Sequence, residues 1–306
     1  HIAFVYAGDV WTAELDGKNP RRLTTHPGTE GNPYFSPDGK WIAFSAEYDG
    51  NNDVFVAPVE GGEPRRLTWH PQADIAKGWT PDGKHVLFAS GRENAPYPSP
   101  DRFWKVSPDG KGLEQALPIP RVWEGSFSPD GKRFAYQMIM PWENEFRNYR
   151  GGQNNPIRII DLANFEQITL PFDGANDREP QWVGDEIFFL SDRDFAMNIW
   201  SYNLNTKQLK QVTKFRDFDC KSLRSGAGKL IFENGGRLYT LDAKGGEPKK
   251  LTITVEGDFP WARPHWEKVG AGIAEYSLSP GGKRVLMSSR GDVFSVPAEK
   301  GDIRNL

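Results

Sequence analysis

The sequence predicts an all-β fold, a β-propeller of four-stranded antiparallel blades, on three observations. A Ser-Pro-Asp-Gly-Lys turn, or a decayed form of it, recurs at intervals of 43 to 54 residues, a period typical of propeller blades. Apolar, β-branched and aromatic stretches flank each copy, as strands require. The 306 residues include 32 Gly and 24 Pro, and no segment shows sustained helical periodicity, which favours many short strands joined by tight turns.

The recurring turn has a local physical basis. Proline presets φ at the second position, the Asp side chain accepts hydrogen bonds from nearby backbone amides, and Gly takes the left-handed position. The copies begin at Ser36, Thr80 and Ser128, decay at Ser225 and return at Ser279, while Trp182-Val183-Gly184-Asp185 occupies the equivalent place between the third and fourth.

A second hairpin follows each turn, and its count bears on the number of blades. Residues 9–24 and 53–68 align over their whole length, and five later segments repeat the same plan. Seven such hairpins stand against six visible inner strands, because the first repeat lacks its inner strand. Six blades are favoured, and seven are compatible with the pattern.

The repeat fails between residues 252 and 273, which predicts a boundary. We expect residues 1–252 to form a six-bladed propeller without its first inner strand and residues 253–272 to be a linker. Residues 273–306 would be a final blade or the start of a second propeller. The chain opens inside a strand pattern at HIAFVYA and stops at RNL, so we expect a piece of a longer protein.

Composition excludes several classes of function. The net charge of −3 and the pI near 6.0 do not favour nucleic acid or an anionic membrane as a partner. No apolar run approaches the ~18 residues of a membrane span. Cys220 is the single cysteine, so no internal disulfide forms. We predict no cofactor.

No catalytic or metal-ligating set is predicted within the chain. No G-x-S-x-G elbow occurs, and His26 and His70 occupy equivalent repeat positions, which indicates a structural role. No H-E-x-x-H or paired-cysteine spacing occurs. The acidic stretch 49–53 superficially resembles a calcium loop but lacks the glycine and distal glutamate that such a loop needs. A hairpin tip is the preferred interpretation of that stretch.

The segment PWENEFRNYRGGQNN at 141–155 interrupts a blade and is the main candidate for a specific function, because loops that break a repeat often carry it. Its candidate channel-lining or peptide-binding residues are Arg147, Tyr149, Arg150, Gly151 and Gly152. Arginine forks could bind peptide carboxylates or acidic partners. The alternative is that they pair with neighbouring blades or domains and hold the insertion in place.

A second candidate surface is FPWARPHW at 259–266. Closely spaced aromatic side chains suggest packing against another domain or subunit. Trp261 and Trp266 are the predicted interface residues.

These features resemble the N-terminal propeller of tricorn-like serine peptidases. The resemblance rests on the Tyr149-Arg150-Gly151-Gly152 insertion, the opening IAFVYAGDVWTAEL and the closing segment from Ala274, and it covers essentially the whole chain. The SPDGK repeat is also similar to Tol-system propellers. Tricorn-like peptidases carry a six-bladed and a seven-bladed propeller before their catalytic domains and assemble into oligomers, and their catalytic serine and histidine lie outside this region.

The resemblance implies a non-catalytic region that forms a peptide channel, gate or docking surface. Its partners would be peptides, downstream peptidase domains and further copies in the full-length protein. One alternative is a stand-alone Tol-type propeller that binds a peptide or protein; another is a propeller enzyme with residues converging in the tunnel. A periplasmic or other extracytoplasmic location is favoured by bacterial members of the family, and a cytoplasmic one remains the alternative.

Overall fold

The computed structural model describes residues 1–93, 102–141, 148–257, 259, 263–264 and 268–306. These residues form two compact units, His1–Val255 and Glu256–Leu306. Nearly all regular structure in them is β, which confirms the predicted fold class. The division 1–252, 253–272 and 273–306 stays a prediction, since several residues of the expected linker lie outside the described ranges.

The first unit contains six sheets, each made of strands that follow one another in the chain and pair antiparallel. The strands of the first three sheets are β1 (Ile2–Tyr6), β2 (Asp9–Ala13) and β3 (Arg21–Arg22); β4 (Glu30–Phe35), β5 (Trp41–Glu47), β6 (Asn52–Pro58) and β7 (Arg65–Arg66); and β8 (Asp74–Trp79), β9 (Val86–Ser90), β10 (Arg102–Val106) and β11 (Gln115–Ala116). The strands of the next three are β12 (Glu124–Phe127), β13 (Arg133–Gln137), β14 (Arg158–Asp161) and β15 (Gln167–Thr169); β16 (Asp177–Val183), β17 (Glu186–Ser191), β18 (Asn198–Asn203) and β19 (Leu209–Gln211); and β20 (Cys220–Gly226), β21 (Lys229–Asn234), β22 (Arg237–Asp242) and β23 (Lys249–Lys250).

The first sheet has three strands, and they correspond to the second, third and fourth strands of the other sheets. Second and third strands form the core. Five residues of β5, from Ile42 to Ala46, are all buried, because a propeller sheet is covered on both faces. The fourth strands are short and largely exposed, and the paired basic residues of the sequence lie on them in β3, β7 and β23.

Side-chain packing closes the six sheets into a ring. An apolar cluster lies between each sheet and the next, and a sixth cluster joins the last sheet to the first through Leu251, Ile2 and Ala13. The other five clusters are represented by the buried pairs Val10 and Phe44, Val54 and Phe88, Phe103 and Phe134, Ile159 and Phe189, and Ile199 and Phe232.

The recurring turn adopts the geometry that its sequence predicts. Asp38 Oδ1 accepts hydrogen bonds from Ser36 Oγ (2.6 Å) and the Lys40 amide (3.1 Å), and these bonds lower the pKa of Asp38. Gly39 has φ of 71°, the left-handed value that favours glycine. The turns at Asp82 and Asp130 repeat both bonds.

The second unit is a single four-stranded sheet that follows a 3-10 helix at Gly270–Gly272. Its strands are β24 (Ile273–Leu278), β25 (Arg284–Ser289), β26 (Asp292–Pro297) and β27 (Arg304–Asn305). Tyr276 and Leu278 of β24 are 79% and 70% exposed, as expected of one sheet without a covering layer.

Candidate functional site

The first strands β4, β8, β12, β16 and β20 line the centre of the ring. The clearest evidence is the guanidinium of Arg224 in β20, which lies 5.4 Å from the ring centroid of Tyr34 in β4. The sheets that contain these residues are not neighbours, because the first sheet lies between them around the ring. The first sheet has no inner strand, so side chains of β20 and β4 can meet on the inner side of the ring.

Four of the five inner strands contain a bulge. The register shifts in the pairing of β4, β8, β16 and β20 with their second strands. Three non-glycine residues at these bulges have φ between 52° and 55°, namely Asn32, Glu179 and Ser222. A bulge places an additional residue in one strand and turns its side chain away from the regular alternation.

Five residues, one from each inner strand, converge on the axis and are named here the axial cluster: Tyr34, Lys77, Glu124, Glu179 and Arg224. Lys77 Nζ lies 2.6 Å from Glu124 Oε1, and Arg224 Nη1 lies 3.4 Å from Glu179 Oε2. Two cations and two carboxylates thus compensate one another. The exposed fraction of these four side chains rises from 9% for Lys77 to 28% for Arg224, so solvent reaches them at the centre of the ring.

The charges of the axial cluster set one another's pKa values. Burial alone would raise the pKa of Glu124, but Lys77 and Arg224 outweigh it, so this pKa lies below its usual value. Burial raises the pKa of Glu179, and Arg224 compensates only in part. The pKa values of Lys77 and Arg224 are raised because the groups facing them, Glu124 and Tyr34 among them, outweigh the opposing effect of burial. Lys77, Glu124 and Arg224 are therefore charged at neutral pH.

The predicted insertion lies at the connection between β13 and β14. Arg150 Nη1 contacts Asp192 Oδ1 of the neighbouring sheet at 2.9 Å, and the Asn148 amide donates to the same carboxylate at 3.1 Å. This is the pairing between blades that the sequence offered as the alternative for these arginines. A role of Arg150 in peptide binding stays a prediction, and Arg147 lies outside the described residues.

The other predicted site residues of the insertion that the structure describes, Tyr149, Gly151 and Gly152, lie at or beside an open cavity. Tyr149 and Gly152 line a depression of about 470 Å³ together with Ile139 and Gln153, and Gly151 lies beside the Tyr149 ring. Among the described residues of this lining there is neither a charged side chain nor a catalytic pair. The predicted interface residues Trp261 and Trp266 fall outside the described ranges, so their role stays a prediction.

His26 and His70, which occupy equivalent positions of the repeat, each stabilise a turn. The Nδ1 atom of His26 accepts the Gly28 amide at 3.0 Å, and that of His70 accepts the Gln72 amide at 3.1 Å. Across the residues that the structure describes, no group of three His, Cys, Asp or Glu side chains is placed to hold a metal ion.

Comparison with known proteins places this ring in a family. The family described as the tricorn protease N-terminal beta propeller domain matches residues 1–247. The chain belongs to this family. The curated relatives include a tricorn protease homolog of Saccharolobus solfataricus, 27% identical over 96% of the chain, and tricorn protease homolog 1 of Streptomyces coelicolor, 32% identical over 84%. These matches span 27% and 24% of the relatives, so the chain covers about a quarter of their length.

Solved structures show the same fold. The crystal structure of the tricorn protease matches 99% of the chain and 30% of its own length, with a TM-score of 0.76 and 21% identity. A TolB structure from Agrobacterium tumefaciens matches 76% of the chain and 84% of its own length, with a TM-score of 0.60 and 19% identity. The TolB likeness concerns the fold alone. Within the described ranges, no helix of this tricorn-type propeller has the length and apolar character to cross a membrane.

Sequence reasoning did not find the axial cluster of this tricorn-type propeller. The signal was present: Lys77, Glu124, Glu179 and Arg224 are charged residues within segments that otherwise read as inner strands. Charged side chains are seldom enclosed unless they are paired. A charge in a strand expected to be covered on both faces therefore indicates either a partner or an axial position.

Proposed function

We propose that the chain is the non-catalytic propeller region of a tricorn-like serine peptidase, and that it forms a peptide channel, gate or docking surface for catalytic domains elsewhere in the protein. The observation that carries this proposal is the axial cluster. Each of the five inner strands contributes a polar side chain to the centre of the ring, where these side chains are partly exposed to solvent. A peptide backbone is polar throughout and needs polar groups along any narrow path that it occupies.

The partners follow from the family. The curated relatives are named as tricorn proteases, and this chain corresponds to about a quarter of their length. Peptidase domains of the same protein are therefore the proposed neighbours, and assembly into oligomers is proposed for the full-length protein. Peptides are the proposed ligands of the ring.

Two measurements on the purified chain test the proposal. We expect no hydrolysis of short fluorogenic peptides, and we expect unstructured peptides to change the tryptophan fluorescence, because Trp123 lies 5.3 Å from Lys77 of the axial cluster. Hydrolysis that a serine substitution within residues 1–306 abolishes would contradict the proposal. So would the failure of every peptide to bind, whatever its charge.

A further inference from the structure

The two ion pairs of the axial cluster differ in how firmly they are held. Lys77 and Glu124 are joined at 2.6 Å, and their side chains are 9% and 14% exposed. Lys77 Nζ also lies 5.3 Å from the Trp123 ring and 6.0 Å from the Phe103 ring, where cation–π attraction holds it further. Lys77 and Glu124 therefore form the more firmly held ion pair of the axial cluster.

Arg224 is held more loosely by its carboxylate. Its Nη1 atom donates to the Leu223 carbonyl oxygen at 2.8 Å but lies 3.4 Å from Glu179 Oε2, at the outer limit of a hydrogen bond. No second guanidinium nitrogen contacts that carboxylate among the described contacts. A guanidinium can bind a carboxylate through two parallel N–H bonds. The existing contact therefore falls short of what Arg224 can form.

Glu179 does not depend on Arg224 for hydrogen bonding. The backbone amide of Leu223 donates to its Oε2 at 2.6 Å, a shorter contact than that of Arg224. Moving the guanidinium away would leave this carboxylate bonded. Arg224 is also the most exposed of the four charged side chains, at 28%.

We propose that Arg224 is a carboxylate-binding group at the centre of the ring, and that it takes an acidic side chain of a peptide in exchange for Glu179. This inference rests on the proposed function, since it names the peptide class that the axial site prefers. The Tyr34 ring, 5.4 Å from the guanidinium, holds the cation in place while it changes its anionic partner.

The other classes of peptide side chain gain less at this point. An apolar side chain offers no replacement partner, so displacing Glu179 with it would leave both Arg224 and Glu179 without an ion pair in an enclosed site. An acidic side chain leaves only Glu179 without one, and Glu179 keeps the Leu223 amide. A basic side chain would have to take Glu124 from Lys77, which holds it at 2.6 Å, or Glu179 from Arg224, and in either place it would face the like charge of Arg224. Of the two cations of the axial cluster, an acidic side chain meets the one whose partner is easily exchanged.

The experiment compares matched peptides on the intact chain. Fluorescein-labelled peptides of Gly, Ser and Glu are titrated by anisotropy beside the same peptides with Gln in place of Glu. The variants are Arg224→Gln, Arg224→Lys and Glu179→Gln. Lys221→Gln is the control, because Lys221 is an exposed cation on the same strand.

We expect the Glu peptides to bind more tightly than the Gln peptides. Arg224→Gln should weaken Glu-peptide binding by about tenfold or more, since a charge-assisted bond is lost, and Arg224→Lys should restore part of it. Glu179→Gln should tighten binding several-fold by removing the internal competitor, an increase that loss of a merely structural contact would not produce. Lys221→Gln should bind as the unaltered chain does.

Three outcomes overturn the inference. Equal binding of Glu and Gln peptides would show that the site has no preference for carboxylates, while peptide binding itself, and with it the proposed function, would stand. Unchanged Glu-peptide binding by a folded Arg224→Gln variant would place the preference elsewhere. Weaker binding by Glu179→Gln would exclude the exchange. Circular dichroism of each variant establishes that it is folded.

Discussion

At the residue scale, two buried ion pairs repeat one arrangement in different sheets. Arg193 Nη2 lies 2.7 Å from Asp177 Oδ2, and both side chains are almost fully buried, at 6% and 2% exposure. The guanidinium lies 5.5 Å and 5.4 Å from the rings of Phe189 and Trp200. Burial raises the pKa of Asp177 to about 6, although Arg193 opposes the rise. The equivalent set in the third sheet is Arg92, Asp74, Phe88 and Trp104.

This raised pKa predicts a specific dependence of stability on pH. The folded chain takes up a proton at Asp177 near pH 6, whereas the unfolded chain does so near the ordinary value of 3.8. The free energy of unfolding should therefore rise as the pH falls from 7 to 4, by up to about 3 kcal/mol from this group.

Urea denaturation at a series of pH values, with Asp177→Asn alongside, isolates this contribution. The difference in unfolding free energy between the two proteins should move in favour of the unaltered chain as the pH falls. A difference that stays constant between pH 7 and 4 would contradict the raised pKa.

A second prediction concerns a threonine that recurs in the repeat. The buried Thr68 Oγ1 accepts the Val54 amide at 3.0 Å and lies 3.3 Å from Asp53 Oδ1, and Thr24 and Thr213 form the same amide bond in other sheets. Thr68→Val should lower the free energy of unfolding by about 1–3 kcal/mol, because the buried amide loses its partner. Thermal and urea denaturation measure the effect. The exposed Thr169→Val serves as control, and equal stabilities of the two variants would count against this role.

At the scale of elements, the inner strands combine bulges with very close packing. A Cβ atom on Gly125 of β12 would lie 2.4 Å from Phe134 Cε1 and 2.7 Å from the Ala135 carbonyl oxygen. The backbone of β12 at Gly125, the residue next to Glu124 of the axial cluster, thus packs directly against β13. The position of the β12 backbone determines where the Glu124 carboxylate lies.

Gly125→Ala should consequently disturb both stability and the axial cluster. We expect a loss of about 1–3 kcal/mol in unfolding free energy from overpacking, measured by urea denaturation. The tryptophan fluorescence of the chain should also change, because Trp123 lies beside Lys77 of the axial cluster. Gly152→Ala is the matched control, because its Cβ would meet none of the described residues within 4 Å. If both alanines are tolerated equally, the close packing described for β12 is wrong.

The element scale also shows what the sequence could and could not predict. The Pro-Asp-Gly turns and the alternation of apolar strands predicted the sheets correctly, because both depend on residues that are neighbours in the chain. The axial cluster joins residues of five sheets, and they stand at different distances from the turn: Tyr34 two residues before Ser36, Lys77 three before Thr80 and Glu124 four before Ser128. Without the ring geometry, no fixed spacing reveals that these residues meet.

At the scale of the whole first unit, the ring closes by side-chain packing. Within the described residues, no sheet combines strands from both ends of the unit, since every sheet consists of consecutive strands. The cluster that joins the last sheet to the first contains three buried residues, whereas each of the other five contains seven to nine. Among the described residues, this junction thus buries the fewest apolar side chains, and we expect it to be the weakest in the ring.

Hydrogen exchange should reveal that weakness. We expect amides of β1, β2 and β22 to exchange before those of β13 and β17, because local opening begins where least apolar surface is buried. Leu251→Ala should widen this difference and leave the order of the other strands unchanged. Simultaneous exchange of all six sheets would contradict a weak junction.

In a ring of this kind, side-chain packing and not a backbone ladder joins the first sheet to the last. At its junction the contacts to be separated are those of a few side chains, and every backbone ladder can remain intact while the two ends part. We therefore expect the diameter of the central opening to be variable. We expect a bulky peptide segment at the centre to be accommodated by separation of the first and last sheets, while each sheet moves as a unit.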